Sequence, residues 1–178
     1  PVSGTASPGL AVFEKQECLS FNVKLSDKTA TNQLDLYGLV EFGRDTTAKL
    51  SILPSDILID NQVWKVQDKA RIKFDNNKTK IEGFALSNNN QLVAINGIIS
   101  KNPDDLLNVE IENLNLKSLS KLTQGTGINL SGTMNGNVGL SAILANPNVK
   151  SDIKVDSLQY NTTFIGDLQL VSTFNNQT

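Results

Sequence analysis

Few residues in the sequence have the types and spacing that catalysis requires. Asp104-Asp105 is the one adjacent carboxylate pair, but it follows Pro103 in a predicted turn with no cation beside it. Glycoside hydrolysis needs two carboxylates on facing surfaces of a cleft, and any of the 18 acidic residues could meet that geometry without leaving a sequence signature. A carbohydrate-active enzyme therefore stays open as a class, although no motif supports it.

The other common reactive groups are missing or isolated. The chain has no histidine and a single cysteine, Cys18, which excludes an internal disulfide and a Cys–His mechanism and removes the commonest zinc ligand. Gly125-Thr126-Gly127 lacks the strand–turn–helix unit of a dinucleotide fingerprint. We predict no catalytic residues, no metal and no cofactor, and hence a protein that is not an enzyme.

Composition favours a β-protein with a neutral polar surface. Apolar residues make up 39% and charged residues 19% of the 178-residue chain, both below the usual shares of about 45–50% and about 25%. Asn, Ser, Thr and Gln make up the share that apolar and charged residues leave. The net charge is −2 and no basic stripe is present, so we predict no nucleic-acid partner.

Alternation with a period of two residues dominates the chain and indicates β-strands. From Leu130 to Ala142 every second residue is apolar or glycine, and from Val149 to Asp156 apolar or small residues alternate with charged ones. We predict ten or eleven strands in an antiparallel meander, with Trp64 anchoring the core. Leucines at three-residue spacing from Leu116 to Leu122 predict one short helical turn, ended by Gly125-Thr126-Gly127.

The predicted organisation is a loose lead-in, or part of a preceding segment, over residues 1–20 and a single elongated β-domain over residues 21–178. Since no stretch approaches about 18 apolar residues and no charged-then-apolar leader is visible, we expect neither a membrane span nor a signal peptide in these residues. Because the chain begins at Pro1 rather than Met, we expect it to be a piece of a longer protein.

Glycines inside predicted strands raise the question of a repeat. Ile95-Asn96-Gly97-Ile98 and Leu130-Ser131-Gly132-Thr133 share an apolar–polar–glycine pattern, which fits either a repeating module or the bend glycines of any curved sheet. We predict that Gly132 and Gly136 lie on the apolar face, where their missing side chains leave space and keep the trough between facing parts of the sheet wide.

From Trp64 to Phe174 the order of elements resembles the C-terminal region of the TamB family, within the AsmA-like group. The resemblance is carried by the succession of the following stretches: Trp64-Lys65-Val66, 95–100, 107–116, 130–136, Asn146-Pro147-Asn148-Val149, Tyr160-Asn161 and Leu168. It covers about 110 of the 178 residues. Residues before about Phe21 match poorly.

The resemblance implies an extended antiparallel sheet folded lengthwise into a trough with an apolar inner face, in a cell-envelope protein. It implies a periplasmic location, anchored to the inner membrane through a segment absent from this chain. The implied role is to carry phospholipid or other hydrophobic clients between inner and outer membrane and to support outer-membrane protein assembly. An outer-membrane barrel partner would be reached through parts not present here.

Alternation and resemblance together select the apolar face as the functional surface. We predict that it binds acyl chains or another hydrophobic client through the following residues: Leu107, Val109, Ile111, Leu130, Met134, Val138, Leu140, Ile153, Val155, Leu168 and Leu170. The competing prediction is a non-catalytic structural or adhesive β-domain, a closed sandwich or solenoid, in which the same face is fully packed.

Overall fold

In the part of the chain that the structure describes, the fold consists of β-strands and one short helix. The computed structural model describes residues 17–27, 30–43, 47–59, 61–67, 70–119 and 127–175. The strands in this part of the chain are β1 (Glu17–Ser26), β2 (Gln33–Phe42), β3 (Ala48–Ile52), β4 (Ser55–Ile59), β5 (Gln62–Val66), β6 (Arg71–Asp75), β7 (Lys78–Asn88), β8 (Gln91–Ile99), β9 (Leu106–Asn115), β10 (Leu130–Ser141), β11 (Asn148–Tyr160) and β12 (Thr163–Phe174). A 3-10 helix spans Leu116–Leu119.

All twelve described strands join one antiparallel sheet. β3 and β4 pair with successive parts of the same edge of β2, and β6 and β5 pair likewise with β7. β3 also pairs with β6, and β4 with β5, so β3 and β4 together occupy one interrupted strand position, and β5 and β6 together occupy the next. The sheet therefore contains ten successive strand positions in chain order, which confirms the predicted all-β antiparallel meander.

Short asparagine-rich turns connect several of these strands. β6 and β7 are joined by Asn76-Asn77, β7 and β8 by Asn89-Asn90, and β11 and β12 by Asn161-Thr162. Asn89 and Asn161 have φ of 52° and 54°, in the left-handed region that asparagine tolerates well. Five of the chain's asparagines therefore lie in these hairpin turns.

Two predicted boundaries need correction or completion. β1 begins at Glu17, because Cys18 and Ser20 pair with Glu41 and Leu39 of β2, so residues 17–20 belong to the first strand rather than to a lead-in. The predicted helical turn is present as the 3-10 helix from Leu116. Leu122 and the Gly125-Thr126 part of its predicted end lie outside the described residues.

A small apolar cluster marks the place where two strand positions are interrupted. Ile52, Val66 and Ala70 are buried, and the partly buried side chains packed against them are Leu36, Leu50, Ile57, Ile72, Phe84 and Leu86. The Ile52 amide donates to the Ala70 carbonyl (2.9 Å) across the gap. Trp64 is only 3% exposed, which confirms it as a core residue, and its indole N–H has no acceptor among the described residues.

Three strands carry a bulge that is held by a side chain of the next strand. The bulges lie in β7, β9 and β11, where the register shifts by one residue. At each bulge a residue with φ between 49° and 63° donates its amide hydrogen to a side-chain oxygen. We name these contacts the bulge clasps: Gly83 to Asn96 Oδ1 (2.6 Å), Asn113 to Asn135 Oδ1 (2.7 Å) and Ser157 to Asp167 Oδ1 (2.9 Å).

Two of the strand glycines recur together with the bulge clasps. They do not follow the repeat considered from the sequence, which matched the segment around Gly97 with the segment around Gly132. Gly97 and Gly136 each come directly after a clasp asparagine and have φ of 131° and 151°. A Cβ on Gly136 would overlap the Asp152 carbonyl oxygen and lie 2.8 Å from Ile153 Cα. The repeated unit is therefore a clasp asparagine followed by a glycine, and it occurs as Asn96-Gly97 and as Asn135-Gly136. These glycines allow close approach of the next strand and do not widen the face.

Candidate binding face

Register places apolar residues of many strands on one side of the sheet. Directly opposed residues of antiparallel strands project to the same face. One continuous row crosses β5 and β7 to β12 through Val66, Leu86, Val93, Ile111, Gly136, Ile153 and Leu170. With about 4.8 Å between neighbouring strands, this row is about 29 Å long. We call the side that carries it the apolar face.

The eleven residues predicted to line a lipid path all lie on this apolar face. Leu107 and Val109 of β9 oppose Leu140 and Val138 of β10. Met134 opposes Val155, which opposes Leu168. Leu130 lies four residues before Met134 on β10 and opposes Tyr160. The alternation in the sequence was sufficient to group these residues, because each strand keeps its period of two between bulges.

The solvent exposure of the side chains differs along the apolar face. Leu107 and Val155 are buried at 7% and 4% exposure, while Leu168 and Leu170 on β12 are 42% and 48% exposed. The remaining predicted residues are half-buried. No large side chain among the described residues is less than 2% exposed. A closed core of this size normally encloses several such side chains, so the face opens towards β12.

The opposite side of the sheet is polar and carries charges that remain in water. Lys154 and Asp156 form an ion pair at 2.6 Å on β11, and the hydrogen bond to Asp156 raises the pKa of Lys154. Both side chains are more than 40% exposed, so solvent screens the pair and it contributes little to stability. This side carries the charged residues that alternate with apolar or small ones between Val149 and Asp156.

The polar side also contains a groove of ≈ 660 Å³. Its lining includes Asn108, Asn137, Gly139, Lys150 and Asp152 from three neighbouring strands. No sequence pattern marks this groove, because most of its lining residues are polar positions of ordinary strand alternation, with Leu106 and Val171 among them. Gly139 was the available signal, since it has no unusual φ and its absent side chain leaves a hollow between the flanking strands.

A second depression lies where the β1–β2 turn meets β4. It measures ≈ 480 Å³ and is lined mainly by apolar side chains, including Leu25, Leu34 and Ile57, with Ser118 of the 3-10 helix at one side. Leu25, Leu34 and Ile57 are successive cross-strand partners on the apolar face. The apolar face therefore has a concave place near β1 as well as an open end at β12.

The described residues contain no group of three or more Cys, Asp and Glu side chains placed to hold a metal ion. Asp105 accepts a hydrogen bond from Ser100 Oγ (2.7 Å), so this acid of the adjacent pair fixes its own turn. The Asp104 amide donates to Asn102 Oδ1 (3.1 Å) in the same turn. These contacts agree with a structural role for the pair.

Comparison with known proteins identifies no relative, since no family model, no curated protein and no solved structure matches the chain. In the described part of the chain, no helix has the length and apolar character needed to cross a membrane.

Proposed function

We propose that the apolar face binds the acyl chains of a phospholipid, or another elongated hydrophobic client, and that the protein acts as a carrier segment rather than an enzyme. The single observation that carries this proposal is the continuous row from Val66 to Leu170, which is buried at its Val66 end, half-buried along its middle and open at β12. A client could enter from the open strand and extend across several strands.

Burial of an acyl chain on the apolar face would release enough free energy to offset its extraction from a bilayer. Each methylene removed from water contributes about 0.8 kcal/mol, so a chain of ordinary length gains on the order of 10 kcal/mol before ordering costs. That gain offsets extraction from a bilayer without a nucleotide or metal. The charged side chains on the other side of the sheet keep the protein in water while the apolar face is occupied.

The resemblance to the TamB and AsmA-like group supports the same role. In that setting the chain would be one periplasmic segment of a longer envelope protein, folded lengthwise into a trough, passing phospholipid or other clients between inner and outer membrane. It would support outer-membrane protein assembly together with a barrel partner. The interruptions that align beside the Ile52 cluster are the places where such a lengthwise fold would bend.

Photolabelling tests the proposal. The purified protein is incubated with a fatty acid carrying a diazirine at the chain end, irradiated, and mapped by peptide mass spectrometry. We expect labels on apolar-face positions of β9 to β12. Leu140→Asp and Leu170→Asp should reduce labelling about tenfold or more, because a carboxylate in the path would have to be desolvated.

Matched controls lie on the same strands but on the opposite side. Ser141→Asp and Thr173→Asp add the same charge to β10 and β12 on the polar side, and should leave labelling unchanged. Circular dichroism and denaturant unfolding establish that each variant is folded. Absence of labelling in the unaltered protein, or equal losses in both sets, would reject the proposal.

The competing candidate is a structural or adhesive β-domain, and one observation favours it. Ile52, Val66 and Ala70 show that part of the apolar face is already packed as ordinary core. If the whole face serves that purpose, Leu140→Asp should unfold the domain instead of yielding a folded protein that fails to take up lipid. The same variant therefore separates the two candidates.

A further inference from the structure

A row of lysines crosses three neighbouring strands on the polar side of the sheet. Lys49 of β3 is directly opposite Lys73 of β6, and Lys73 is directly opposite Lys80 of β7. Each lysine adjoins a residue of the apolar face on its own strand, and these neighbours are Leu50, Ile72 and Ile81. Because successive strand residues project to opposite faces, the three lysines lie together on the polar side. Lys73 and Lys80 are exposed and Lys49 is half-buried.

Like charges in directly opposed positions destabilise a sheet, because their Cβ atoms lie only about 4.5–5.5 Å apart. Two of the lysines have a carboxylate partner. Lys49 Nζ lies 2.5 Å from Glu41 Oε2, and Lys80 Nζ lies 2.6 Å from Glu82 Oε1. Lys73, which has a lysine on both sides, forms no ion pair with any described residue. A cation at position 73 therefore lowers the stability of the sheet.

The surroundings of Lys73 carry an excess of positive charge. Arg71, two residues earlier on the same face, also forms no ion pair within the described ranges. Asp75, two residues later, accepts the Asn76 amide hydrogen at 2.8 Å and is opposed by Lys78, so this pair adds no net charge. The remaining four basic and two acidic side chains give a net charge of +2, whereas the whole chain carries −2. We name them the lysine patch: Glu41, Lys49, Arg71, Lys73, Lys80 and Glu82.

The positive potential of the lysine patch acts on Glu82. The hydrogen bond and the charge of Lys80 lower the pKa of Glu82, and the charges of Arg71 and Lys73 act in the same direction. The two acids of the patch are thus already held by Lys49 and Lys80. Arrangements that oppose folding in this way commonly mark a functional site, because a ligand can supply the charge that the fold leaves out.

We propose that the lysine patch binds a phosphate monoester, with the phosphate group held by Lys73 between Lys49 and Lys80. Lysine binds phosphate as a point charge, and its flexible four-carbon side chain lets ammonium groups from neighbouring strands converge on one anion. A phosphate monoester carries a charge of about −1.5 to −2 at pH 7, which matches the net charge of the patch. The bound phosphate removes the repulsion between the opposed lysines. The site lies on the opposite side of the sheet from the apolar face, so it goes beyond the proposed acyl-chain role and does not depend on it.

Titration with glycerol 3-phosphate tests the site, followed through the backbone amide signals in ¹H–¹⁵N NMR spectra. We expect saturable shifts at residues 49, 73 and 80, and no such shifts with sodium chloride at the same ionic strength. Lys73→Glu should weaken binding about tenfold or more, since it removes the central cation and adds repulsion. Lys73→Arg keeps the charge and should preserve binding.

A stability measurement separates a binding site from an ordinary solvated surface. Lys73→Glu converts two repulsive cross-strand pairs into attractive ones, so it should raise the urea midpoint of the protein without ligand. The same variant should therefore gain stability and lose phosphate binding. Lys150→Glu is the matched control, because it makes the same charge change on the polar side of β11, opposite Gly139 and Thr173. It should leave the urea midpoint and the binding nearly unchanged.

Vesicle co-sedimentation distinguishes a soluble phosphate ester from a lipid headgroup. Vesicles of phosphatidylcholine with phosphatidic acid present a phosphate monoester at their surface, and vesicles of phosphatidylcholine alone do not. Binding to the first kind only, lost in Lys73→Glu, supports the site with a lipid headgroup as its ligand. Binding of glycerol 3-phosphate without vesicle binding supports it with a soluble ester.

Three results would overturn the proposal. The first is the absence of saturable shifts at the lysine patch together with the absence of specific vesicle binding. The second is an equal loss of binding in Lys73→Glu and Lys150→Glu, which would mean unspecific attraction by charge. The third is a lowered urea midpoint for Lys73→Glu, because the opposed lysines would then not repel each other. The fatty acid used for photolabelling carries no phosphate group, so failure here leaves the acyl-chain role untouched.

Discussion

Two glycines of β10 differ in backbone conformation and in the space available to a side chain. Gly136 has a φ of 151° and its Cα faces the backbone of β11 closely. Gly139 on the same strand has no such φ, and a Cβ there would meet only Leu106 Cδ1 at 3.5 Å and more distant atoms. One glycine is required by the backbone, while the other is an open position.

Substitution by alanine should therefore give opposite results at these two sites. Gly136→Ala should lower the free energy of unfolding by about 2–3 kcal/mol, since it adds both backbone strain and overlap with Asp152. Gly139→Ala should be neutral or raise it by about 0.5 kcal/mol. Urea denaturation of the two variants measures the contrast, and equal effects would contradict this interpretation of Gly136.

Asp27 offers a pH-dependent prediction at the same scale. Hydrogen bonds from Asn32 Nδ2 (2.8 Å) and from the Thr31 hydroxyl (2.8 Å) and amide (2.9 Å) lower the pKa of Asp27 well below its ordinary value. Because the folded pKa is depressed, this stabilisation is present above the unfolded pKa near 3.9. It is lost as pH falls through the lower folded value.

Asp27→Asn should therefore reduce stability at pH 7, and its difference from the unaltered protein should shrink below about pH 4. Denaturant unfolding at pH 7 and at pH 3 measures both values. Asp104→Asn is the control, since the Asp104 carboxylate accepts no hydrogen bond from a described residue, and it should change stability little at either pH. A difference for Asp27→Asn that grows on acidification would contradict the argument.

The strands show which properties of this fold are visible in sequence. The period of two placed the apolar side of β10 and β11 correctly, because local alternation alone decides the face of a strand. The bulge clasps were not visible, since they depend on the register between strands. Asn96 and Asn135 looked like ordinary polar positions until their partners on β7 and β9 were known. The groove over Gly139 was not visible for the same reason, since residues of several neighbouring strands line it.

The bulge clasps predict a conservative substitution that should succeed. Asn135 Oδ1 accepts the Asn113 amide hydrogen, and at the third clasp an aspartate performs this role. Asn135→Asp keeps an acceptor and should preserve the clasp. Asn135→Ala removes it and should cost about 1 kcal/mol. Hydrogen exchange of the Asn113 amide measures the clasp directly. We expect faster exchange in Asn135→Ala and unchanged exchange in Asn135→Asp.

Across the whole molecule, stability should decrease from the buried cluster towards β12. Val66 is 3% exposed within the cluster, while Leu170 at the other end of the apolar row is 48% exposed. Val66→Ala should cost about 2 kcal/mol through lost burial and a residual cavity. Leu170→Ala should cost about 0.5 kcal/mol or less.

Chemical denaturation of these two variants provides the comparison, and hydrogen exchange across the chain gives the same ordering without mutation. Amides of β5, β7 and β8 should exchange more slowly than those of β12. Uniform protection across all strands would indicate that the apolar face is packed throughout, and would favour the structural alternative over a binding face.

The strict chain order of the ten strand positions has a consequence for how the molecule forms and grows. Among the described residues, each of the ten strand positions pairs only with the positions that precede and follow it along the polypeptide, so its pairings have short sequence separations and a low contact order for an all-β protein. Such a chain can assemble hairpin by hairpin, faster than a sandwich of equal size. It can also gain or lose a hairpin at an edge while the remaining pairings stay intact.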